Sequence, residues 1–287
     1  MTDFDRPRVG PKAAEDEIPL ATRRRPSGLT MRAVVPNAIT AAAMCSGLTG
    51  IRFAMGGMWA EAVTAVILAG VLDGMDGRIA RLLRAQSRFG AELDSLADSL
   101  SFGTAPALVL FLWSLGDPAS PLAQLGWFAA LAFAICGALR LARFNAQIDV
   151  KDQPHKSAGF LTGVPAPVGA GLAFLPVYLW LATGEELFRD PRLVAPWLAL
   201  IAFLMISNVA TLSWTLMRPR RDVRLGVILV VGLLFAALLL QPWWTLTAIC
   251  AGYLALIPYA WARYARVKRQ RAAASRSIPP GALPEHL

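Results

Sequence analysis

LDGMDGRIARLLRAQSRFGAELDSLADSLSFG, residues 72–103, sets four aspartates inside an otherwise apolar chain. Elsewhere acids are kept out of the apolar stretches, with Glu61 the main exception. A carboxylate at membrane depth costs at least a few kcal/mol, so ionisable groups there are usually functional. Asp73 and Asp76 are three apart and Asp94 and Asp98 four apart, so each pair shares one helix face. A tight turn around Gln86-Ser87 makes the two helices antiparallel neighbours and lets the faces converge. Four carboxylates aimed at one place suit a hard divalent cation. Their mutual repulsion calls for two such ions, and a two-metal site can clamp a diphosphate during an in-line displacement. A carboxylate not fully committed to metal could take the proton of an incoming hydroxyl. Charge therefore points to phosphoryl-group transfer. The bland alternative pairs these acids with Arg78, Arg81, Arg84 and Arg88 as salt bridges. It leaves unexplained the small residues, Gly77, Ala80 and Gly90, set beside the carboxylates.

The rest of the chain supplies the solvent for this site. It has 287 residues, 56% of them hydrophobic, and a mean hydropathy of +0.50. About 20 apolar residues cross a bilayer core. Eight runs qualify: roughly 37–56, 60–82, 92–114, 122–144, 166–183, 194–214, 224–240 and 243–262. The second and third carry the aspartates and are poor spans on hydropathy alone. The fold class expected is all-α, a polytopic membrane bundle of about eight transmembrane helices. Within the first span, Ala38 to Gly50 is rich in small residues, which allow close helix approach, and Pro36 suits a first helical turn.

The net charge of +9 could suggest nucleic acid, but its distribution excludes that partner. Lys and Arg cluster before the first span, around the Asp-rich turn, after the fourth span (Arg140, Arg143, Lys151, Lys156), after the sixth and at the C-terminus. Residues 115–121 and 241–242 hold none, and 184–193 is mixed in sign. Alternate basic loops are the positive-inside pattern. It places both termini and the Asp-rich turn in the cytoplasm, in the cell (inner) membrane. Residues 1–32 read as a disordered cytosolic tail without a cleavable signal peptide, 33–265 as one membrane domain, and 266–287 as a basic cytosolic tail. Cys45, Cys136 and Cys250 fall in spans without metal-ligand spacing and read as small buried hydrophobes. A transporter using intramembrane carboxylates is disfavoured, because the acids cluster once and have no counterpart in the second half.

Written with its gaps, the central run is Asp73-x2-Asp76-Gly77-x2-Ala80-Arg81-x8-Gly90-x3-Asp94-x3-Asp98. It resembles the CDP-alcohol phosphatidyltransferase signature at every fixed position. That resemblance implies an integral membrane enzyme with a CDP-linked donor, CDP-diacylglycerol, and Mg²⁺ or Mn²⁺, two ions in all. It implies Asp73, Asp76, Asp94 and Asp98 as metal ligands, with Asp98 also the general base. Gly77, Ala80, Arg81 and Gly90 would line the cytidine diphosphate pocket. Pro36-Asn37-x2-Thr40 resembles the family's first-helix motif and brings Asn37 and Thr40 near the nucleotide. A homodimer is also implied.

The acceptor needs separate evidence. SLADSLSFGTAPA (95–107), LRLARFN (139–145) and Gly159-Phe160-x2-Gly163-x-Pro165-Ala166-Pro167 resemble the phosphatidylserine synthase branch, with Val164 where Leu is expected. The implied acceptor is L-serine. Arg140, Arg143 or both could supply a fork for its carboxylate, and Asn145 could accept from its ammonium group. The spacing alone also allows these arginines simply to anchor a helix end at the interface. Glycerol 3-phosphate, inositol or choline would keep the reaction and change the alcohol. The segment 146–165, with His155 and Lys156, reads as a long cytosolic loop covering the site.

Overall fold

The computed structural model describes residues 31–117, 121–146, 160–207, 210–212 and 224–258. Among the described residues eight long helical stretches follow one another, besides a 3-10 turn at Glu186–Arg189: α1 (Met31–Met55), α2 (Trp59–Leu82), α3 (Arg88–Leu115), α4 (Ala123–Ala146), α5 (Ala166–Thr183), α6 (Pro191–Ile206), α7 (Arg224–Leu240) and α8 (242–258). Four of them, Val34–Met55 within α1 and all of α3, α4 and α5, are long and apolar enough to cross a membrane. The apolar helices Pro191–Ile206 and Leu225–Leu240 are shorter. Helix α2 is not among the four, as expected for a span bearing Asp73, Asp76, Arg78 and Arg81; α3 qualifies despite its aspartates.

Local chemistry sets the boundaries. The turn from α1 to α2 runs through Gly57, whose φ of +73° lies in the left-handed region that glycine adopts without penalty. Asp190 caps α6 by accepting from the Arg192 amide at 2.8 Å, with Pro191 in the first turn. Helix α6 stops at Ser207, where ψ swings to 152°. The sixth span was expected to run on to 214. Instead Ala210–Leu212 pairs antiparallel with Phe160–Thr162, Phe160 opposite Leu212. This short ladder is the one departure from an all-helical fold among the described residues. Pro36 also lies deeper than a first turn, because α1 begins at Met31. The helix continues through it at the loss of one backbone hydrogen bond.

Small residues bring α1 against its neighbours. A Cβ on Gly47 would lie 2.8 Å from Ser101 Oγ on α3, and one on Gly50 would lie 2.9 Å from the Ala62 carbonyl on α2. The interior forms between α3, α4, α5 and α6, around Trp113, Phe133, Phe174, Tyr178, Leu198 and Met205. Gly163 (φ +76°) leads into α5, and its missing Cβ leaves room for the Met205 carbonyl, which would be 2.6 Å away. Apolar residues all along α7 point outward, among them Leu225, Ile228, Val231, Phe235 and Leu239. In a bilayer that exposure is a lipid-facing surface. Of the three free cysteines only Cys250 is buried; Cys45 is exposed, contrary to expectation, because its side of α1 faces outward.

Candidate active site

The site grows from the turn between α2 and α3. Helix α2 ends with Arg84 in the left-handed region (φ 50°), and the Ala85 amide donates back to the Ala80 carbonyl at 2.9 Å. That is the closing bond of a Schellman turn made without glycine, a small local strain of the kind found beside functional sites. Ser87 then caps α3 by accepting from the Gly90 amide at 3.0 Å. Helix α1 packs against both helices, which meet each other chiefly beyond Asp98, and their acidic faces converge across the gap between them.

Asp73, Asp76 and Asp94 each offer a carboxylate oxygen, and these oxygens lie within 4.8 Å of one another. Asp76 is buried, and the Thr40 hydroxyl of α1 donates to its Oδ2. Asp98 stands beside this triad, its carboxyl group close to that of Asp73. Its Oδ1 is buried with no hydrogen-bond partner. None of Arg78, Arg81, Arg84 or Arg88 forms an ion pair with these carboxylates, so the salt-bridge reading finds no support. An oxygen-only donor set with an orphaned buried carboxylate oxygen fits a hard divalent cation.

A cleft of about 260 Å³ opens next to the triad. Its walls include Asn37 and Thr40 from α1, Gly77, Ala80 and Arg81 from α2, and Gly90 and Asp94 from α3. A Cβ on Gly77 would meet nothing within 4 Å, so the glycine leaves open space rather than relieving a contact. At Gly90 the reverse holds: a Cβ would lie 2.9 Å from Asn37 Oδ1. Asn37 Nδ2 is buried without a partner. A donor group in an open cleft is left for a ligand to satisfy.

Helix α4 runs antiparallel to α3 and brings its C-terminal residues to the same place. Arg140 is half-buried and interacts electrostatically with Asp98 of α3 and Tyr253 of α8. Its Nε is buried and without a partner. Arg143 points elsewhere and donates from Nη1 to the Ile206 carbonyl at 3.5 Å, at the end of α6. Asn145 donates from Nδ2 to Ser95 Oγ at 2.9 Å.

Comparison with known proteins identifies the family. The model of the CDP-alcohol phosphatidyltransferase family matches residues 33–214, and a second, CDP-alcohol phosphatidyltransferase 2, matches 222–258. The chain belongs to the CDP-alcohol phosphatidyltransferase family. Among its relatives, CDP-diacylglycerol–serine O-phosphatidyltransferase of Mycobacterium tuberculosis is 35% identical over 227 residues, 79% of this chain and 78% of the relative. The Helicobacter pylori protein of the same name is 34% identical over 179 residues, 61% of this chain and 70% of the relative. That of Methanocaldococcus jannaschii is 38% identical over 144 residues, 50% and 60% of the two chains.

In this family member the six residues assigned to the donor pocket line one cleft, and the aspartates gather at its edge. Pro36, Ala85, Gln86, Ser87 and Ala91 also line it, and the sequence reading gave none of them a role in the pocket. The capping pattern Ser87-x2-Gly90, just before the second acidic pair, is the signal that marks this rim. Ser95 was missed as well, since nothing in its spacing reveals a partner on α4. His155 and Lys156, the tail 1–30 and residues 259–287 lie outside the described residues.

Proposed function

We propose that the protein transfers the phosphatidyl group of CDP-diacylglycerol to the hydroxyl of L-serine, giving phosphatidylserine and CMP. One observation carries the reading: all six donor-pocket residues line a single cleft together with Asp76 and Asp94, and these two carboxylates gather with that of Asp73. The curated relatives named for the same reaction support the choice of acceptor.

Asn37, Thr40, Gly77, Ala80, Arg81 and Gly90 hold the cytidine diphosphate, with the Gly77 gap taking the flat or bulky part of the head group. Asp73, Asp76, Asp94 and Asp98 would hold Mg²⁺ or Mn²⁺, two ions for four carboxylates. Bound there, divalent cations would neutralise the diphosphate and stabilise charge on the departing CMP. Asp98 accepts the proton of the serine hydroxyl. The serine oxygen bonds to the lipid-side phosphorus as the bond from that phosphorus to the CMP oxygen breaks. Arg140 binds the serine carboxylate with its guanidinium, whose Nε has no hydrogen-bond partner, and Asn145 accepts from the ammonium group. Arg143 secures the end of α6 instead, which divides between two arginines a task that their spacing allowed either to perform.

The arrangement in the membrane follows from the same charges. Eight helices cross it, residues 33–265 form one domain, and the cleft and both termini face the cytoplasm of the cell (inner) membrane. The donor then enters sideways from the bilayer. The protein works as a homodimer, as its family membership suggests.

The test is metal-dependent CMP release by the purified full-length protein with CDP-diacylglycerol and each alcohol in turn. Serine should support turnover. Release with glycerol 3-phosphate, inositol or choline but none with serine would overturn the assignment.

A further inference from the structure

We infer that Ser95 is a positioning residue for the acceptor, setting the orientation of the Asn145 amide and thereby selecting an ammonium-bearing alcohol. The inference rests on the serine reading above and adds to it a residue outside both the donor signature and the acceptor set.

Ser95 lies on α3 three residues before Asp98, so the two share a helix face. Helix α4 opposes that face with Arg140 near Asp98 and Asn145 on Ser95. The antiparallel order makes two rungs, Asp98 with Arg140 in the deeper one and Ser95 with Asn145 in the shallower.

A hydroxyl has one proton. That of Ser95 is spent on the Ala91 carbonyl, one turn back, at 3.0 Å. With its proton so placed, the Ser95 oxygen accepts from the Asn145 amide nitrogen at 2.9 Å. The carbonyl Oδ1 of Asn145 is thereby turned to the other side, and no donor among the described residues reaches it. Asn145 is half-buried, so this oxygen is an acceptor with a fixed direction and a vacancy for a donor.

An amide is nearly symmetric in shape but opposite in polarity at its two ends. Turned one way, Asn145 offers an acceptor suited to an ammonium group. Turned the other way, it offers two N–H donors, which suit a phosphate or carboxylate and repel an ammonium. Paired with the donor-only guanidinium of Arg140, the fixed acceptor completes a recognition pair for a zwitterion. Discrimination by a site with committed hydrogen-bond polarity is stronger than discrimination by shape.

The test uses the full-length protein, CDP-diacylglycerol and L-serine, reading CMP release at varied concentrations of each substrate. Ser95→Ala should raise the KM for serine about fivefold, the usual loss for one orienting hydrogen bond. The KM for CDP-diacylglycerol and the kcat should stay within about twofold. Ser95→Thr, which keeps the hydroxyl, should behave as the unmodified protein. Adding Asn145→Asp to Ser95→Ala should restore the serine KM, because a carboxylate presents an acceptor in either orientation. An unchanged serine KM in Ser95→Ala would overturn the proposal. So would an equal rise in both KM values, or a loss that Asn145→Asp does not relieve, since either marks Ser95 as a mere tie between helices. If the unmodified protein released no CMP with serine, the functional reading would fail first and this role with it.

Discussion

The turn joining α2 to α3 and the last two turns of α4 both presented charged residues at helical spacing, and they resolved differently. At the α2–α3 turn, residues sharing a face share a destination: Asp73, Asp76 and Asp94 converge, and the glycines and alanine beside them open one cleft. On α4, Arg140 and Arg143 are also three apart, yet one faces Asp98 and the other reaches the end of α6. The difference lies in what each helix faces. Two helices tied by a short turn and both packed on α1 are held with their acidic faces toward each other. A helix surrounded by several others offers neighbouring side chains to different partners within a single turn.

If the acidic turn is the reaction centre, the largest effect should come from its proton acceptor. Asp98→Asn is expected to reduce CMP release about 10³-fold, the usual share of a general base. Full turnover in that variant would remove Asp98 from the chemistry. Stripping divalent cations with a chelator should stop CMP release completely, with recovery on adding Mg²⁺ or Mn²⁺. Turnover that persists in the chelator would deny the four carboxylates their role.

The α4 region and its supports should respond through stability and acceptor binding. Gly163→Ala forces a left-handed φ on a residue with a Cβ and presses it on the Met205 carbonyl, 2.6 Å away. The expected cost is about 2–3 kcal/mol, seen as a lowered thermal midpoint. A midpoint unchanged from that of the parent protein would mean that the α5 entry does not depend on this approach. Smaller still, Arg143→Ala should cost about 1 kcal/mol through the lost bond to the Ile206 carbonyl, with the KM for serine within about twofold. A larger rise in that KM would return Arg143 to the acceptor site.

The contrast also explains what could be read from the chain. The grouping of the candidate donor-site residues around one cleft was legible because their spacings lie within residues 73–98, on two helices and one turn, with only Asn37 and Thr40 arriving from α1. The approach of α1 was legible too, since Gly47 and Gly50 mark where backbones touch. By contrast, the π-helical turn Ser99–Thr104 that follows Asp98 carries no Pro or paired glycine to announce it. The end of α6 was hidden because the apolar run continues past Ser207 into Val209-Ala210-Thr211-Leu212, so hydropathy sees one span. Its strand pairing with Phe160–Thr162 joins segments about fifty residues apart in sequence. The bond from Asn145 to Ser95 spans the same kind of gap.

The central claim is that donor and acceptor are held by separable groups of residues on either side of the aspartates. It is tested most directly by measuring both KM values in Gly77→Ala and Arg140→Ala. Gly77→Ala places a methyl group in open space, so the fold should persist while the KM for CDP-diacylglycerol rises and that for serine does not. Arg140→Ala should do the opposite, raising the KM for serine alone, whatever its effect on kcat through the neighbouring Asp98. Either variant moving both constants together would contradict the division.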